Sequence, residues 1–317
     1  MRNATSAPAT SYYDYIIVGG GTSGCPLAAT LSQNANVLLL ERGGSPYGND
    51  NITNLSAFGQ ALSDLSPTSP SQRFISEDGV ISARGRVLGG GSCLNAGFYT
   101  RAATSYVAGA GWDGRLANKS YDWVERVVAF QPPMLEWQSA VRAGLVEAGV
   151  VPDNGFTYDH LPGTKDEYCD SPRKKRIKIY LSRRESDSRR GRSRPLAHGV
   201  TFRDASGVKH KAYLSNGRKN EVIISAGALG SPQLLMLSGL GPADHLKAHN
   251  ITLVLDLPLV GQGMADNPMN AVFIPSPVQV EVSLIQVVGI TNFGTYIEAA
   301  SGENFSGPRD YGMFSPK

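Results

Sequence analysis

Gly19, Gly21 and Gly24 follow the apolar run Tyr15-Ile16-Ile17-Val18 and open an alanine- and leucine-rich stretch that continues to Leu31. Each glycine in this spacing has a physical job. The first permits a tight turn, the second lets bare backbone approach a pyrophosphate, and the third lets a helix pack closely on the strand. The N-terminus of that helix supplies unpaired N–H groups and the positive end of a dipole, so the turn is an anion cradle. Thr22 and Ser23 are placed to cap the helix. Glu41 lies 22 residues after Gly19, at the end of a second apolar run, Val37 to Leu40, where it can accept hydrogen bonds from a ribose. Strand, turn, helix, strand and acid together predict dinucleotide binding. The spacing does not separate a flavin from a nicotinamide nucleotide.

A second glycine-dense segment, Gly85-Arg86-Val87-Leu88-Gly89-Gly90-Gly91-Ser92-Cys93-Leu94-Asn95, bears on that choice. A nicotinamide enzyme has no need of another backbone cradle at this point, whereas a longer flavin nucleotide does. Other groups with chemical potential are less telling. His245 and His249, four apart on an expected helix, could face the same way as a metal pair. No third ligand accompanies them, and no metal site is expected. Cys25, Cys93 and Cys169 make no disulfide framework, and the first two read as small residues packed beside glycine turns.

These groups need elements to position them. Tyr15–Val18, a helix ending near Asn34 and Val37–Leu40 read as a βαβ unit. Asn49 to Pro70 reads as a polar loop. Tyr121 to Phe130 and Met134 to Ala148 read as amphipathic helices separated by Pro132-Pro133. Val200 to Phe202 and Lys209 to Leu214 read as a hairpin turning at Asp204-Ala205-Ser206-Gly207. Glu221 to Ser225 is a further strand, followed by a helix from Pro232 to Leu237, and Ile251 to Leu255 is the last clear strand.

The composition is globular, with 41% hydrophobic and 18% charged residues over 317 positions. The longest apolar runs have strand length, far short of the roughly 20 residues that cross a bilayer, so no membrane span is expected. Met1 to Thr10 is polar, without the apolar core of a signal peptide, which taken alone suggests a cytosolic protein. Six Asn-x-Ser/Thr acceptors, at Asn3, Asn51, Asn54, Asn118, Asn250 and Asn304, argue instead for a secreted glycoprotein.

The net charge of +3 conceals an asymmetry. Eleven basic and two acidic residues lie between Arg173 and Arg194; taking these from totals of 30 and 27 leaves 19 basic and 25 acidic residues, a mildly acidic body. The tract reads as a nucleic-acid or localisation patch, as a solvated insert, or as a frame-shifted segment. It lacks interleaved aromatics apart from Tyr180, and no nucleic-acid motif accompanies it. Nucleic-acid binding is not expected, nor is any protein partner.

Two longer patterns carry a resemblance. Gly85 through Ala108, with Asn95 and Tyr99 in place, and Gly227-Ala228-Leu229-Gly230-Ser231-Pro232-Gln233-Leu234-Leu235-Met236-Leu237-Ser238-Gly239-Leu240-Gly241 match the two signatures of the glucose-methanol-choline (GMC) oxidoreductases, in order behind the nucleotide motif. The chain resembles plant members of that family over about residues 11–164 and 193–317. Phe156-Thr157-Tyr158-Asp159-His160, Gly261-Gln262-Gly263-Met264 and Asp266-Asn267-Pro268 add to the likeness.

The resemblance implies an α/β fold: a Rossmann-like FAD-binding domain of GMC type with part of an α+β substrate domain. Its implied divisions are 11–101 and 193–270 for the two parts of the FAD-binding domain and 102–164 for a family-specific segment. The anomalous basic tract falls at 165–192, and 271–317 begins the substrate domain. It implies FAD as cofactor, with Thr22 and Ser23 at the pyrophosphate and Glu41 and Arg42 at the adenosine. Val87, Gly91 and Asn95, Ala96, Gly97 and Phe98 would lie along the flavin. The implied activity is oxidation of an alcohol, possible substrates being long-chain ω-hydroxy fatty acids. The alternative is cleavage of a cyanohydrin such as mandelonitrile with a structural FAD. The catalytic pair of the family, His with His or Asn, falls beyond Lys317. No catalytic residue is therefore assigned, and the 317 residues are expected to be inactive alone. Where relatives have a helix and then a sheet strand, this chain has the basic tract, with ordinary register resuming near Arg192.

Overall fold

Tyr15–Val18 is apolar along its whole length because both its faces are covered. In the computed structural model, which describes residues 4–97, 99–166, 178–181, 195–266 and 269–302, Tyr15–Val18 lies at the centre of a three-stranded parallel sheet, between Glu221–Ile224 and Val37–Leu40. Ile16 stands opposite Val222 on one side and Leu38 on the other. Ile16, Ile17 and Val18 are wholly buried. The crossover helix Gly24–Leu31 joins the first two strands, as the spacing predicts.

The described chain divides into two units. The first comprises 1–46, 66–91 and 173–269; the second comprises 47–65, 92–172 and 270–317. The first unit also holds a four-stranded sheet in the order Thr10–Tyr13, Lys209–Leu214, Gly199–Arg203, Lys178–Leu181. Val200, Phe202 and Ala212 from this sheet join Ile16, Val18 and Leu40 in one core. The expected hairpin is present, and its turn is held by Asp204, whose Oδ1 accepts from the N–H groups of Ser206 and Val208. Asp204 Oδ2 lies 3.1 Å from His210 Nε2, and His210 Nδ1 lies 3.1 Å from the carbonyl of Pro8. The His210 contact, helped by those N–H groups, holds the Asp204 carboxyl below the usual range.

The second unit is built on a sheet ordered Tyr296–Glu298, Val287–Ile290, Gly163–Asp166, Asp153–Phe156. The helices Gly114–Val128 and Glu136–Glu147 belong to it. Gln138 is completely buried. Its Nε2 reaches Ser283 Oγ and the carbonyls of Leu284 and Ala299 at 2.8–3.0 Å, and its Oε1 accepts from the N–H groups of Gln286 and Val287. Arg101 grips buried Glu125 through both carboxylate oxygens, at 2.7 and 2.5 Å.

Several expectations need correction. Ile251 to Leu255 is not a strand; only Leu255–Asp256 pairs, with Leu240–Gly241. The helix expected from Pro232 begins at Gly227, so Pro232 lies inside it at the sixth position, where its missing N–H forgoes a bond to the Ala228 carbonyl. The stretch from Asn49 to Pro70 contains the short helices Asp50–Thr53 and Phe58–Ser63. Gly163–Asp166 escaped notice because its Thr, Lys and Asp are polar, yet the whole strand is buried. Lys178–Leu181 supplies a strand within the basic tract, antiparallel to Gly199–Arg203, so that part of it is not an unstructured insert. The rest of the tract lies outside the described residues, as do Asn3, Phe98, Cys169, Asn267-Pro268 and Asn304. Among the described residues, no helix is long and apolar enough to cross a membrane.

Candidate functional site

The first unit carries a cleft of ≈ 1040 Å³ where the central strand ends. Its floor is the turn at Gly19, with φ +109, a conformation that residues with a Cβ rarely adopt. A Cβ there would also lie 2.3 Å from the carbonyl oxygen of Ser225, so the neighbouring strand end closes directly on the turn. Gly24 sits equally close to Gly19, whose carbonyl would lie 1.9 Å from an added Cβ. The third glycine therefore lets the helix start against the strand, as its spacing requires.

The two glycine-dense segments meet here. Gly90 has φ +63, and a Cβ on it would stand 2.7 Å from Gly21 Cα. Gly89 N–H donates to the Gly20 carbonyl at 2.7 Å, and the Thr22 hydroxyl donates to the Gly89 carbonyl at 3.5 Å. Gly19, Gly21, Thr22, Ser23, Gly90 and Gly91 all line the cleft. Ser23 occupies the N-cap position, but its side chain makes no capping hydrogen bond, correcting the expectation that it would. The helix Gly227–Leu237 begins on the same cleft. Val87, within the second segment, is buried.

Glu41 lies at the cleft, but its carboxylate does local work first. Oε2 accepts from Gly20 N–H at 2.8 Å and Oε1 from Gly43 N–H at 2.6 Å. Burial pushes its carboxyl upward despite these hydrogen bonds. The neighbouring Arg42 is lowered to about 10, by burial first and then by the charges of Arg84 and Arg86. Burial also raises the Cys25 thiol, which donates to the Gly20 carbonyl at 3.1 Å. Arg84, half-exposed, lines the cleft with Arg42, and nothing in the residue pattern singles it out.

Asn95, Ala96 and Gly97 belong to the second unit. Asn95 Oδ1 accepts from Gly97 N–H at 3.0 Å, a local turn that presents Asn95 to solvent. Ala96 packs against Ile285, Val288 and Ile290. His245 and His249 have rings 4.7 Å apart, and no group of three potential metal ligands occurs among the described residues.

Residues 177–269 match the family model for GMC oxidoreductase. The match begins inside the basic tract, earlier than the point near Arg192 where ordinary register was expected to resume. The chain is 51% identical over 309 residues to the protein HOTHEAD of Arabidopsis thaliana, covering 92% of this chain and 52% of that one. It is 47% identical to an (R)-mandelonitrile lyase-like protein of the same plant, covering 95% of this chain and 58% of that one. The chain thus spans about half the length of the curated relatives it matches. Among solved structures, a formate oxidase of Aspergillus oryzae superposes with a TM-score of 0.61 at 22% identity, over 79% of this chain and 51% of that one. A pyridoxine 4-oxidase from Mesorbium loti gives 0.59 at 23% identity, over 77% of this chain and 55% of that one. These two likenesses concern the fold.

Proposed function

We propose that this chain is the cofactor-holding portion of an FAD-dependent GMC oxidoreductase acting on the CH–OH group of a small-molecule donor. The observation that carries the reading is the contact of Gly90 with Gly21, which closes two bare backbone turns on one cleft beside a helix N-terminus. A cradle of that kind suits the pyrophosphate of a dinucleotide. On this reading Gly21, Thr22 and Ser23 hold the pyrophosphate, and Glu41 and Arg42 face the adenosine. Val87 and Gly91 lie along the flavin.

FAD, when bound, supplies the hydride acceptor. The share of the chain's own residues is position and electrostatics. A base drawing the hydroxyl proton belongs to the family's histidine pair, for which no residue here is assigned. The likeness to HOTHEAD and to plant mandelonitrile lyases supports two substrate classes: long-chain ω-hydroxy fatty acids for the oxidoreductase, or a cyanohydrin for a lyase. The 41–47% identity to several mandelonitrile lyases keeps the second in play. Anaerobic addition of alcohol to the whole protein decides between them. Bleaching of the flavin without cyanide release from mandelonitrile supports the oxidoreductase; cyanide release without bleaching supports the lyase.

A secreted, glycosylated protein is the proposed setting. Its support is the exposure of the acceptor asparagines Asn54, Asn118 and Asn250.

A further inference from the structure

We infer that the helix Gly114–Val128 is a docking face for an anionic lipid surface, with Leu116, Trp123 and Val127 entering the lipid. The face belongs wholly to the second unit, and its reading does not rest on the cofactor.

A surface helix ordinarily turns its apolar stripe toward the body that covers it. Here the apolar arc is wider than its cover. Tyr121, Val124, Glu125 and Val128 form the covered side, with Glu125 buried and the other three half-buried. Arg101 pins that side through its ion pairs with Glu125 and Asp122. Leu116, Trp123 and Val127 follow one another at spacings of seven and four, so they share a second face. All three are exposed, Leu116 by 62% and Val127 by 75%. A row of large apolar side chains held in water is unfavourable, and a covering apolar phase removes that cost. Trp112, just before the N-cap Asp113, and Tyr106 on the preceding helix Thr104–Gly109 are exposed as well, their rings edge to face at 5.8 Å. Such amphipathic rings suit the boundary between lipid and water.

Charge selects the occupant. Arg115, Lys119 and Arg126 repeat at spacings of four and seven, which sets a basic row alongside the apolar one. All three are exposed, and none enters an ion pair among the described residues. Asp122 lies on the same side but is held by Arg101, and the Asp113 carboxylate caps the helix by accepting from Leu116 N–H. A basic row beside an apolar row containing tryptophan matches anionic headgroups above acyl chains. Asn118, the proposed glycan acceptor, is two residues from Leu116 and therefore on the other side of the helix, so a glycan there leaves the lipid contact open. The contact is peripheral, since no described helix is long and apolar enough to cross a membrane.

The test is sedimentation of the 317-residue chain with vesicles of phosphatidylcholine, alone or mixed with anionic phosphatidylglycerol. The native chain is expected to bind the anionic vesicles more tightly and to lose that advantage as salt is raised. Leu116→Ser combined with Val127→Ser is expected to weaken this binding by about tenfold or more, whereas Val127→Leu keeps it. Arg115→Gln, Lys119→Gln and Arg126→Gln together are expected to weaken it by roughly a hundredfold, each cation near such a surface contributing about fivefold. Helical circular dichroism should stay unchanged, because every substituted side chain is exposed. The tract between Arg173 and Arg194 also carries cations, which makes the serine pair the decisive arm. Binding that survives the serine pair comes from that tract and overturns the proposal. The glutamine variant touches no apolar group and reports even if the serine pair fails to fold; unchanged affinity there overturns the proposal too. So does a folded native chain that ignores anionic vesicles. A native dimer that the serine pair dissociates, without vesicle binding, assigns the row to a second copy and overturns it likewise.

Discussion

Gly90 stands so close to Gly21 that no side chain fits between the two turns; a Cβ on Gly90 would lie 2.7 Å from Gly21 Cα. The glycine-rich run after the hairpin thus acts as one wall of the nucleotide turn.

Gly90→Ala is therefore expected to lose FAD uptake and to destabilise the chain by about 1–3 kcal/mol, through the positive φ and the backbone clash. Gly144→Ala makes the control. Gly144 lies in the helix Glu136–Glu147 with nothing within 4 Å of an added Cβ, so the change should be stabilising by about 0.5–1 kcal/mol. Flavin fluorescence quenching and urea unfolding read both outcomes.

Glu41→Gln leaves one of the Gly20 and Gly43 N–H groups facing an amide NH₂. It should cost about 1–3 kcal/mol near neutral pH. The pH dependence has a definite sign. The folded carboxyl titrates higher than an unfolded glutamate, so protonation favours the fold, and the Glu41 contribution grows as pH falls through the folded value. The native chain should gain on Glu41→Gln upon acidification. A gap that narrows instead contradicts burial as the dominant cause.

The Asp204–His210 pair gives the opposite slope. Asp204 titrates lower in the fold than when unfolded, so its contribution is complete above the unfolded value and is lost as pH falls through the folded one. Asp204→Asn should flatten the acid limb of a melting-temperature profile. Combining it with His210→Ala should cost less than the sum of the two single changes, since both break the same contact.

Gln138→Leu tests the second unit. The leucine fills similar space but abandons the N–H groups of Gln286 and Val287 and the carbonyls of Leu284 and Ala299. A loss of about 3 kcal/mol or more is expected from urea unfolding. A loss below about 1 kcal/mol would show that water replaces the amide at no cost.

Expressed through a eukaryotic secretory pathway, the protein should shift on a gel after enzymatic deglycosylation. Asn118→Gln should remove one step of that shift, because Asn118 projects to solvent from the helix Gly114–Val128. No shift at all would argue for a cytosolic protein.

The nucleotide turn was legible because its residues act through backbone geometry, and glycine spacing encodes backbone geometry directly. Ile16 to Val18 and Leu38 to Leu40 showed their strands through unbroken apolar runs. Gly163–Asp166 did not, since Lys165 and Asp166 engage distant partners, Thr100 and Arg142, that a local pattern does not show. Pattern reading has no access to partners 24 or 65 residues away. Ser23 carried the opposite lesson: a residue type suited to capping occupies the cap position without making the bond.

The central strand has a consequence for synthesis. Tyr15–Val18 obtains Val37–Leu40 almost at once, but its other neighbour, Glu221–Ile224, lies far along the chain; the bond from Ser225 Oγ to Gly19 O spans 206 positions. On the ribosome, one flank of that strand must therefore stay unpaired until the chain has emerged past Ile224. Such late, non-local closure is slow and leaves sticky edges exposed. Yield of soluble material should consequently depend on chaperone supply and translation speed more than on the final stability of the sheet.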